Sequence, residues 1–331
     1  MPCYKPLDAI RKRDGSIKVF GKDQELVNPF APNTLRVRCG QCIGCRLDHS
    51  LMWAIRLTHE AELHDSSVFI TLTYNDENLP YDLSLRKKHF QTFMKKLRKH
   101  FSGTTIRYFH CGEYGEKNFR PHYHAILYGI DFDDKTLHMS RDTHAGKHDV
   151  YTSKTLEKLW GKGFVTIGEV NMQSTAYVAR YTTKKITGDQ ADEHYTRVDT
   201  DTGECWKVLP EYATMSRGNA SSKGKKCGLG VGWLEKYFTD VYPAGVLINK
   251  NHKEMRPPRY YDNYAEQLDP EMVERVKETR ELLMSYHEED NTRERLAQRE
   301  TVKLAQAKFL KRTLDGYEND STNILSLRRE S

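Results

Sequence analysis

The spacing of apolar positions changes several times before residue 190, and each change marks an element. From Leu47 to Leu63 apolar side chains recur at helical spacing, with Leu51, Ile55 and Ala61 in phase and Trp53 and Leu57 beside them. Val68–Tyr74 is rich in β-branched and aromatic residues and stops at Asn75-Asp76, so it reads as a strand. A basic helix is expected to run to about His100, with Ser84 as its N-cap and Phe90, Phe93, Met94 and Leu97 as its buried stripe. Ile106–Cys111 and His122–Tyr128 read as two strands of a hairpin, joined by a polar connection over Gly112–Arg120. Ser153–Trp160 reads as a short helix, Phe164–Val170 as a strand and Thr175–Lys185 as a further helix. This alternation predicts an α+β fold, an antiparallel sheet with helices on one face.

The flanks are different in character. Residues 1–35 carry Pro2, Pro6, Pro29 and Pro32 and no clear period, so 1–46 is expected to be an irregular segment ending in a cysteine cluster. The main domain then spans 47–245, with a polar, Lys-rich insertion at 186–230 that reads equally as a functional loop or a solvated excursion. Trp233–Phe238 resumes apolar packing. Residues 246–331 read as a linker and a charged helical extension. Asp269-Pro270 supplies an N-cap and a first helical residue, and Val276, Leu283, Leu296, Val302, Ala305 and Phe309 are too sparse for a core.

Composition narrows the class only a little. The 331 residues suffice for one large domain or two modest ones. A net charge of +6 and a pI near 8.8 permit a polyanionic partner without requiring one. Mean hydropathy is −0.77, and no run of about 18 apolar residues exists, so no membrane span is expected. The first residues lack the apolar run of a signal peptide. The chain therefore reads as cytosolic, with its seven cysteines reduced or metal-bound.

Chemistry concentrates at three places. In Arg120-Pro-His122-Tyr123-His124, the two histidines alternate along an apolar strand and so project to one face. Two neutral imidazoles side by side make half of a divalent metal site. About fifty residues later, Tyr177-Val-Ala-Arg180-Tyr181-Thr-Thr-Lys184-Lys185 places two tyrosines four apart, on one face of a helix. A third cluster, Cys39-x-x-Cys42-x-x-Cys45, joins with Cys3 to offer four thiolates for zinc. The same residues read more readily as reduced cysteines and, least naturally, as iron–sulfur ligands.

With these motifs together, the chain resembles the replication initiation proteins of microviruses, nearest to the gokushovirus branch. The matching segments are Cys39-Gly-Gln-Cys-Ile-Gly-Cys-Arg46, Phe69-Ile-Thr-Leu-Thr-Tyr-Asn-Asp76, Phe109-His-Cys-Gly-Glu-Tyr-Gly115, Arg120-Pro-His-Tyr-His124 and Tyr177-Val-Ala-Arg-Tyr181. The resemblance implies an HUH endonuclease fold, a ferredoxin-like antiparallel sheet with flanking helices. It implies a metal-dependent nickase and strand transferase that starts rolling-circle replication on single-stranded DNA. His122 and His124 would then bind Mg²⁺ or Mn²⁺. The third ligand of related initiators lies nine residues before the first histidine, which is Glu113 here, with Glu116 and His110 as alternatives. Tyr177 and Tyr181 become the nucleophiles, with Lys184 to stabilise the phenolate. Arg180, Lys185, Arg217, Lys223, Lys225 and Lys226 become phosphate contacts, and Tyr114 and Tyr123 candidates for base stacking or for packing. Phe69–Tyr74 becomes a supporting central strand, with Thr71 and Thr73 placed to face DNA.

Competing readings account for less. A cupin oxygenase also uses His-x-His but needs a Glu four or five residues beyond the second histidine, where this chain has Tyr128 and Gly129. A DNA-packaging protein would explain the mild basic charge but neither the histidines nor the tyrosines. An HUH transposase or relaxase is closer in chemistry, although a relaxase usually places its tyrosine before the histidines. No G-x-x-x-x-G-K-[ST] is present, so a helicase, like the polymerase, would come from the host, and the host cytoplasm is the expected setting.

Overall fold

The computed structural model describes residues 3–20, 33–115, 119–143, 146–181, 185–186, 190–199, 202–217, 228–249 and 252–307. In chain order the elements are β1 (Leu7–Arg11), β2 (Ile17–Val19), β3 (Thr34–Val37), α1 (Ile43–Ala61), β4 (Ser67–Thr73), α2 (Lys87–His100), β5 (Arg107–Tyr114), β6 (Pro121–Tyr128), β7 (Thr136–Thr143), β8 (Gly146–Thr152), α3 (Lys154–Trp160), β9 (Val165–Glu169) and α4 (Met172–Arg180). They continue as α5 (Gln190–Tyr195), β10 (Thr196–Val198), β11 (Cys205–Lys207), β12 (Tyr212–Met215), α6 (Val231–Lys236), α7 (Phe238–Val241), β13 (Leu247–Ile248), β14 (Glu254–Met255), α8 (Arg259–Leu268) and α9 (Pro270–Ser285). A last helix, α10, covers 293–307 of the described residues.

By contacts the chain divides into two units, Ser50–Met272 and a second made of Met1–His49 with Val273–Ser331. The larger unit is built on a seven-stranded antiparallel sheet in the order β12-β5-β6-β4-β9-β8-β7. Its inner strands carry apolar side chains on both faces, because both faces are covered. On one side Val68, Ile70, Leu72 and Tyr74 of β4 and Tyr123, Ala125 and Leu127 of β6 meet Phe90, Phe93, Met94 and Leu97 of α2 and Leu156 and Trp160 of α3. Each such side chain contributes about 1.5–3 kcal/mol through burial. On the other side Phe109 lies against Trp53 of α1 with ring centroids 5.3 Å apart, and Tyr128 Oη donates to the Leu57 carbonyl at 3.1 Å. Phe69 meets Tyr177 of α4. Helices thus flank the sheet on both faces, not on the single face expected from the element order.

The second face is also where the polar residues of the strands project. Register opposes Thr71 to His124, Thr73 to His122, Cys111 to His124 and Glu113 to His122. A slip of one residue would drive these polar groups into the α2–α3 core and turn Ile70 and Leu72 out of it, so burial fixes the register.

Several elements escape a reading by period alone. The segment expected to be irregular, 1–46, forms the three-stranded sheet β2-β1-β3, whose strands are short and largely exposed and so carry no apolar alternation. The β7–β8 hairpin sits at the sheet edge with Leu137 exposed and leaves no apolar signal either. Within 186–230, β12 pairs with β5 and so belongs to the main sheet, while β10 and β11 form a separate ribbon. Ser84 does not cap α2; the helix starts at Lys87, and Ser84 Oγ instead accepts the Leu209 N–H at 2.9 Å. Residues 246–272 are not a linker, since Tyr261 and Ala265 of α8 are fully buried and Tyr242 Oη donates to Asp262 at 2.7 Å. In the smaller unit Val276 and Leu296 are buried, whereas Leu282, Leu283, Met284 and Tyr286 are exposed. Among the described residues no helix is long and apolar enough to cross a membrane.

The turn between α3 and β9 depends on Gly163. It has φ of +140°, and a Cβ there would stand 2.2 Å from the Asn75 amide nitrogen and 2.5 Å from the Thr73 carbonyl oxygen. Neither can retreat, because Thr73 and Phe164 exchange backbone hydrogen bonds and Asn75 donates to the Lys162 carbonyl. Gly163→Ala is therefore expected to destabilise the larger unit by more than about 1 kcal/mol, read as a lowered thermal midpoint. An unchanged midpoint would mean that this close approach does not hold in solution.

Candidate active site

The site is assembled on the middle three strands of the sheet and closed by one helix. β6 projects His122 and His124 to the α4 side, and β5 brings Glu113 directly opposite His122. The expected polar connection over Gly112–Arg120 is thus strand as far as Tyr114, and Glu113 sits in the sheet and not in a turn. Its Oε1 lies 2.8 Å from His124 Nε2 and 3.3 Å from His122 Nε2. One ligand atom from each of the three residues falls within 4.8 Å of the others, a grouping suited to a metal ion. Gly115 leaves room for this arrangement, since a Cβ there would lie 3.1 Å from His122 Cε1.

Glu113 is completely buried. Burial by itself raises the pKa of a carboxyl group. Here the hydrogen bonds and positive charge of His122 and His124 outweigh it and hold Glu113 well below the usual carboxylate range. The far nitrogen of His124, Nδ1, lies 2.9 Å from Thr71 Oγ1. A threonine hydroxyl both donates and accepts. It can donate to Nδ1 while Nε2–H faces the carboxylate, or accept from Nδ1–H when Nε2 offers its lone pair to a cation. Thr71 and Thr73 read from sequence as DNA-facing, but Thr71 is a support for His124. The signal was present: Thr71 alternates in phase with the His-x-His of the neighbouring strand.

α4 delivers the tyrosines. Its start is set by a capping box in which Asn171 and Ser174 satisfy each other's backbone groups, and it ends at Arg180 with Tyr181 as C-cap. The helix is therefore shifted toward the N-terminus relative to the expected Thr175–Lys185. Thr175 Oγ1 lies 2.9 Å from Thr58 Oγ1 of α1, which ties α4 down. Tyr181 stacks on His124 with centroids 5.1 Å apart and ring planes 10° apart. Tyr177 meets the edge of His124 at 5.4 Å and Tyr181 at 5.0 Å. Both tyrosines are buried, 9 % and 4 % exposed. Two phenols, two imidazoles and one carboxylate thus form a single cluster.

Other expected site residues are distributed elsewhere. Arg180 is half-buried at the end of α4 and Lys185 is exposed just beyond it. Lys184, Lys223, Lys225, Lys226 and Glu116 lie outside the described residues. Arg217 lines a concavity with Arg98 and Arg107, at the opposite end of β5 from Glu113 and about 20 Å along the strand. It is not brought to the histidines. His110 projects to the α2 face, where its ring stacks on Phe90 at 3.4 Å and its Nδ1 pairs with Thr214 Oγ1 at 2.9 Å, so it is not a third ligand. Tyr114 and Tyr123 also belong to that core. Tyr123 Oη receives the Arg86 N–H at 2.8 Å, and Tyr114 Oη donates to the Leu209 carbonyl at 2.7 Å. They pack and are not placed to stack on bases. Arg120, unremarked by period, bonds Asp76 at 2.7 Å and the Tyr74 carbonyl at 3.1 Å, fixing the end of β4 to the start of β6. Cys3, Cys39, Cys42 and Cys45 converge in the smaller unit.

Residues 67–186 match the family model described as replication-associated protein ORF2/G2P. Over 300 residues, 85% of this chain and 86% of its relative, the sequence is 34% identical to the replication-associated protein ORF2 of Spiroplasma virus 4. The chain belongs to this family of phage replication-associated proteins. It is also 31% identical to the replication-associated protein VP4 of Bdellovibrio phage phiMH2K over 281 residues, covering 82% of this chain and 79% of that one. The replication-associated protein ORF4 of Chlamydia phage 1 shares 34% identity over 154 residues, 45% of this chain and 38% of its own length. No solved structure matches. The resemblance to microvirus replication proteins is therefore borne out. The matched segment of this replication-associated protein runs from β4 to just past α4, so it holds Thr71, Glu113, His122, His124 and both tyrosines.

The depressed titration of Glu113 has a measurable sign. An unfolded Glu titrates near 4.3, and the folded one lower, so its contribution to stability is complete above about pH 4.3 and is lost as pH falls below that. In metal-free buffer, wild type is expected to lose more stability on acidification from about pH 6 to about pH 3 than Glu113→Gln, by urea unfolding at each pH. Equal losses would show that Glu113 is not held by the histidines.

Proposed function

We propose that this replication-associated protein is a nickase and strand transferase that cuts single-stranded DNA at a viral origin through a 5′-phosphotyrosine. The observation that carries the reading is the contact of Tyr177 and Tyr181 with His124, whose Nε2 faces the buried Glu113. A carboxylate with two imidazoles is a donor set that suits Mn²⁺ well and Mg²⁺ acceptably. Held by Glu113, His122 and His124, such a cation supplies Lewis-acid stabilisation of the charge that builds on the scissile phosphate.

The chain's own groups do the rest. A phenol ordinarily titrates near 10, so the attacking tyrosine must shed its proton as its oxygen bonds to phosphorus. Lys184 is our candidate for steadying the phenolate, and Arg180 and Lys185 for holding flanking phosphates. As the tyrosine O–P bond forms, the bond from phosphorus to the 3′ oxygen breaks, and that oxygen takes up a proton. The 5′ phosphate stays on the tyrosine, and the free 3′-OH primes synthesis. Once the origin is regenerated, the second tyrosine repeats the cut. The newly released 3′-OH then attacks the first phosphotyrosine and seals a circle. Helix geometry supports this division, since side chains one turn apart share a face. Unwinding and polymerisation fall to host proteins. The family relationship favours replication over transposition or conjugation, and a packaging role leaves the tyrosine–histidine cluster without a use.

Purified protein incubated with Mn²⁺ and single-stranded DNA from a cognate genome is expected to give a covalent adduct on a denaturing gel, mapping to Tyr177 or Tyr181. One of the substitutions Tyr177→Phe and Tyr181→Phe should abolish the first nick, while both impair complete replication. Normal nicking by the double variant would refute the nucleophile assignment. His124→Ala is expected to lose cleavage by at least about 100-fold while keeping most salt-sensitive DNA binding, which arises from phosphate neutralisation. Cleavage retained in that variant would remove the metal role.

A further inference from the structure

The geometry points to a structural Zn²⁺ site formed by Cys3, Cys39, Cys42 and Cys45, in the smaller unit and separate from the nuclease cluster. The four sulfurs come from three places in the fold. Cys3 precedes β1, Cys39 follows β3, and Cys42 and Cys45 flank the first residues of α1. Leu7 pairs with Val37, so β1 and β3 bring Cys3 and Cys39 to the same end of their sheet. All four sulfurs lie within 4.8 Å of one another.

The spacing discriminates among the uses of four cysteines. Cys3 Sγ is 3.6 Å from Cys39 Sγ and 3.9 Å from Cys42 Sγ. A tetrahedron with Zn–S bonds of about 2.3 Å has edges of about 3.8 Å. A disulfide requires about 2.0 Å, and none is present among these residues. An iron–sulfur core would hold its thiolates further apart, because inorganic sulfide and several irons stand between them.

Backbone N–H groups are aimed at the sulfurs. The Tyr4 N–H points at Cys42 Sγ, the Cys39 N–H at Cys3 Sγ and the Cys42 N–H at Cys39 Sγ, each at 3.3 Å. A neutral thiol gains little from such donors, whereas a hydrogen bond to a charged thiolate is considerably stronger. On binding, four thiols release four protons and the Zn²⁺ tetrathiolate keeps a net charge of −2, toward which these amide donors point. Tyr4 and Leu296 pack against Cys42 and Cys45. The ion would therefore join the start of β1, the end of β3, the start of α1 and helix α10.

Full-length protein purified without chelator is expected to hold about one zinc per chain by elemental analysis, falling to near none in Cys42→Ser. His124→Ala, which leaves the thiols intact, should keep it. Cobalt exchanged into wild type should give the strong visible bands of tetrahedral Co²⁺ with thiolate charge transfer, a signature that imidazole and carboxylate ligands do not produce. Stripping the ion from wild type should speed proteolysis near residues 292–307, reversed by adding zinc back, which covers the case of a Cys42→Ser variant that does not fold. Wild type with no zinc and no thiolate–cobalt bands would overturn the site. So would equal iron and acid-labile sulfide.

Discussion

The register between β4, β6 and β5 is the constraint on which the rest of the larger unit depends. It sets Thr71 opposite His124 and Glu113 opposite His122 across three strands, and it is enforced from the opposite face by aliphatic and aromatic packing. Because strand side chains alternate, the same backbone pairing that buries Ile70, Leu72, Ala125 and Leu127 has only one way to project the polar set. The core under α2 and α3 therefore acts as the jig for the site on the other side.

That arrangement also explains how an ionised carboxylate survives full burial. Glu113 is removed from water, which alone would favour its neutral form, and it is compensated by two imidazoles supplied by the adjacent strand. His124 in turn is held from behind by a hydroxyl able to serve either tautomer. The groups that bind charge are thus oriented by the sheet before any ligand arrives, and little rearrangement is required of them.

Much of this was legible in the residues. The β4 run, the His-x-His strand and the tyrosine pair all lie where their local patterns place them, because each is an inner element whose burial imprints a period. The glutamate was identified by resemblance, not by pattern: Gly112, Glu113 and Tyr114 carry turn-like chemistry, yet cross-strand pairing with β6 makes them strand. Tyr114 and Tyr123 show the reverse failure. An aromatic beside a candidate metal-ligating histidine invites a role in stacking, but alternation alone sends it to the far face and into the core. The edge strands β7 and β12 were silent because an edge strand need not alternate, β8 because it lies next to that edge, and β1–β3 because they are short and bury a single residue, Ala9. Helix α8 was missed because its buried face is made of Tyr261, Asp262 and Ala265, not of an aliphatic stripe.

Helix α4 is only nine residues long, and it stops between its two tyrosines. Tyr177 stands within the hydrogen-bonded barrel, next to the fully buried Val178 and Ala179; Tyr181 stands on the terminal residue, its amide shared between two preceding carbonyls. The two phenols are chemically identical but differently mounted, one inside the helical turn and the other on the residue that closes it. One side-chain type is thus presented to the same imidazole from two different supports, set by the place where a short helix ends.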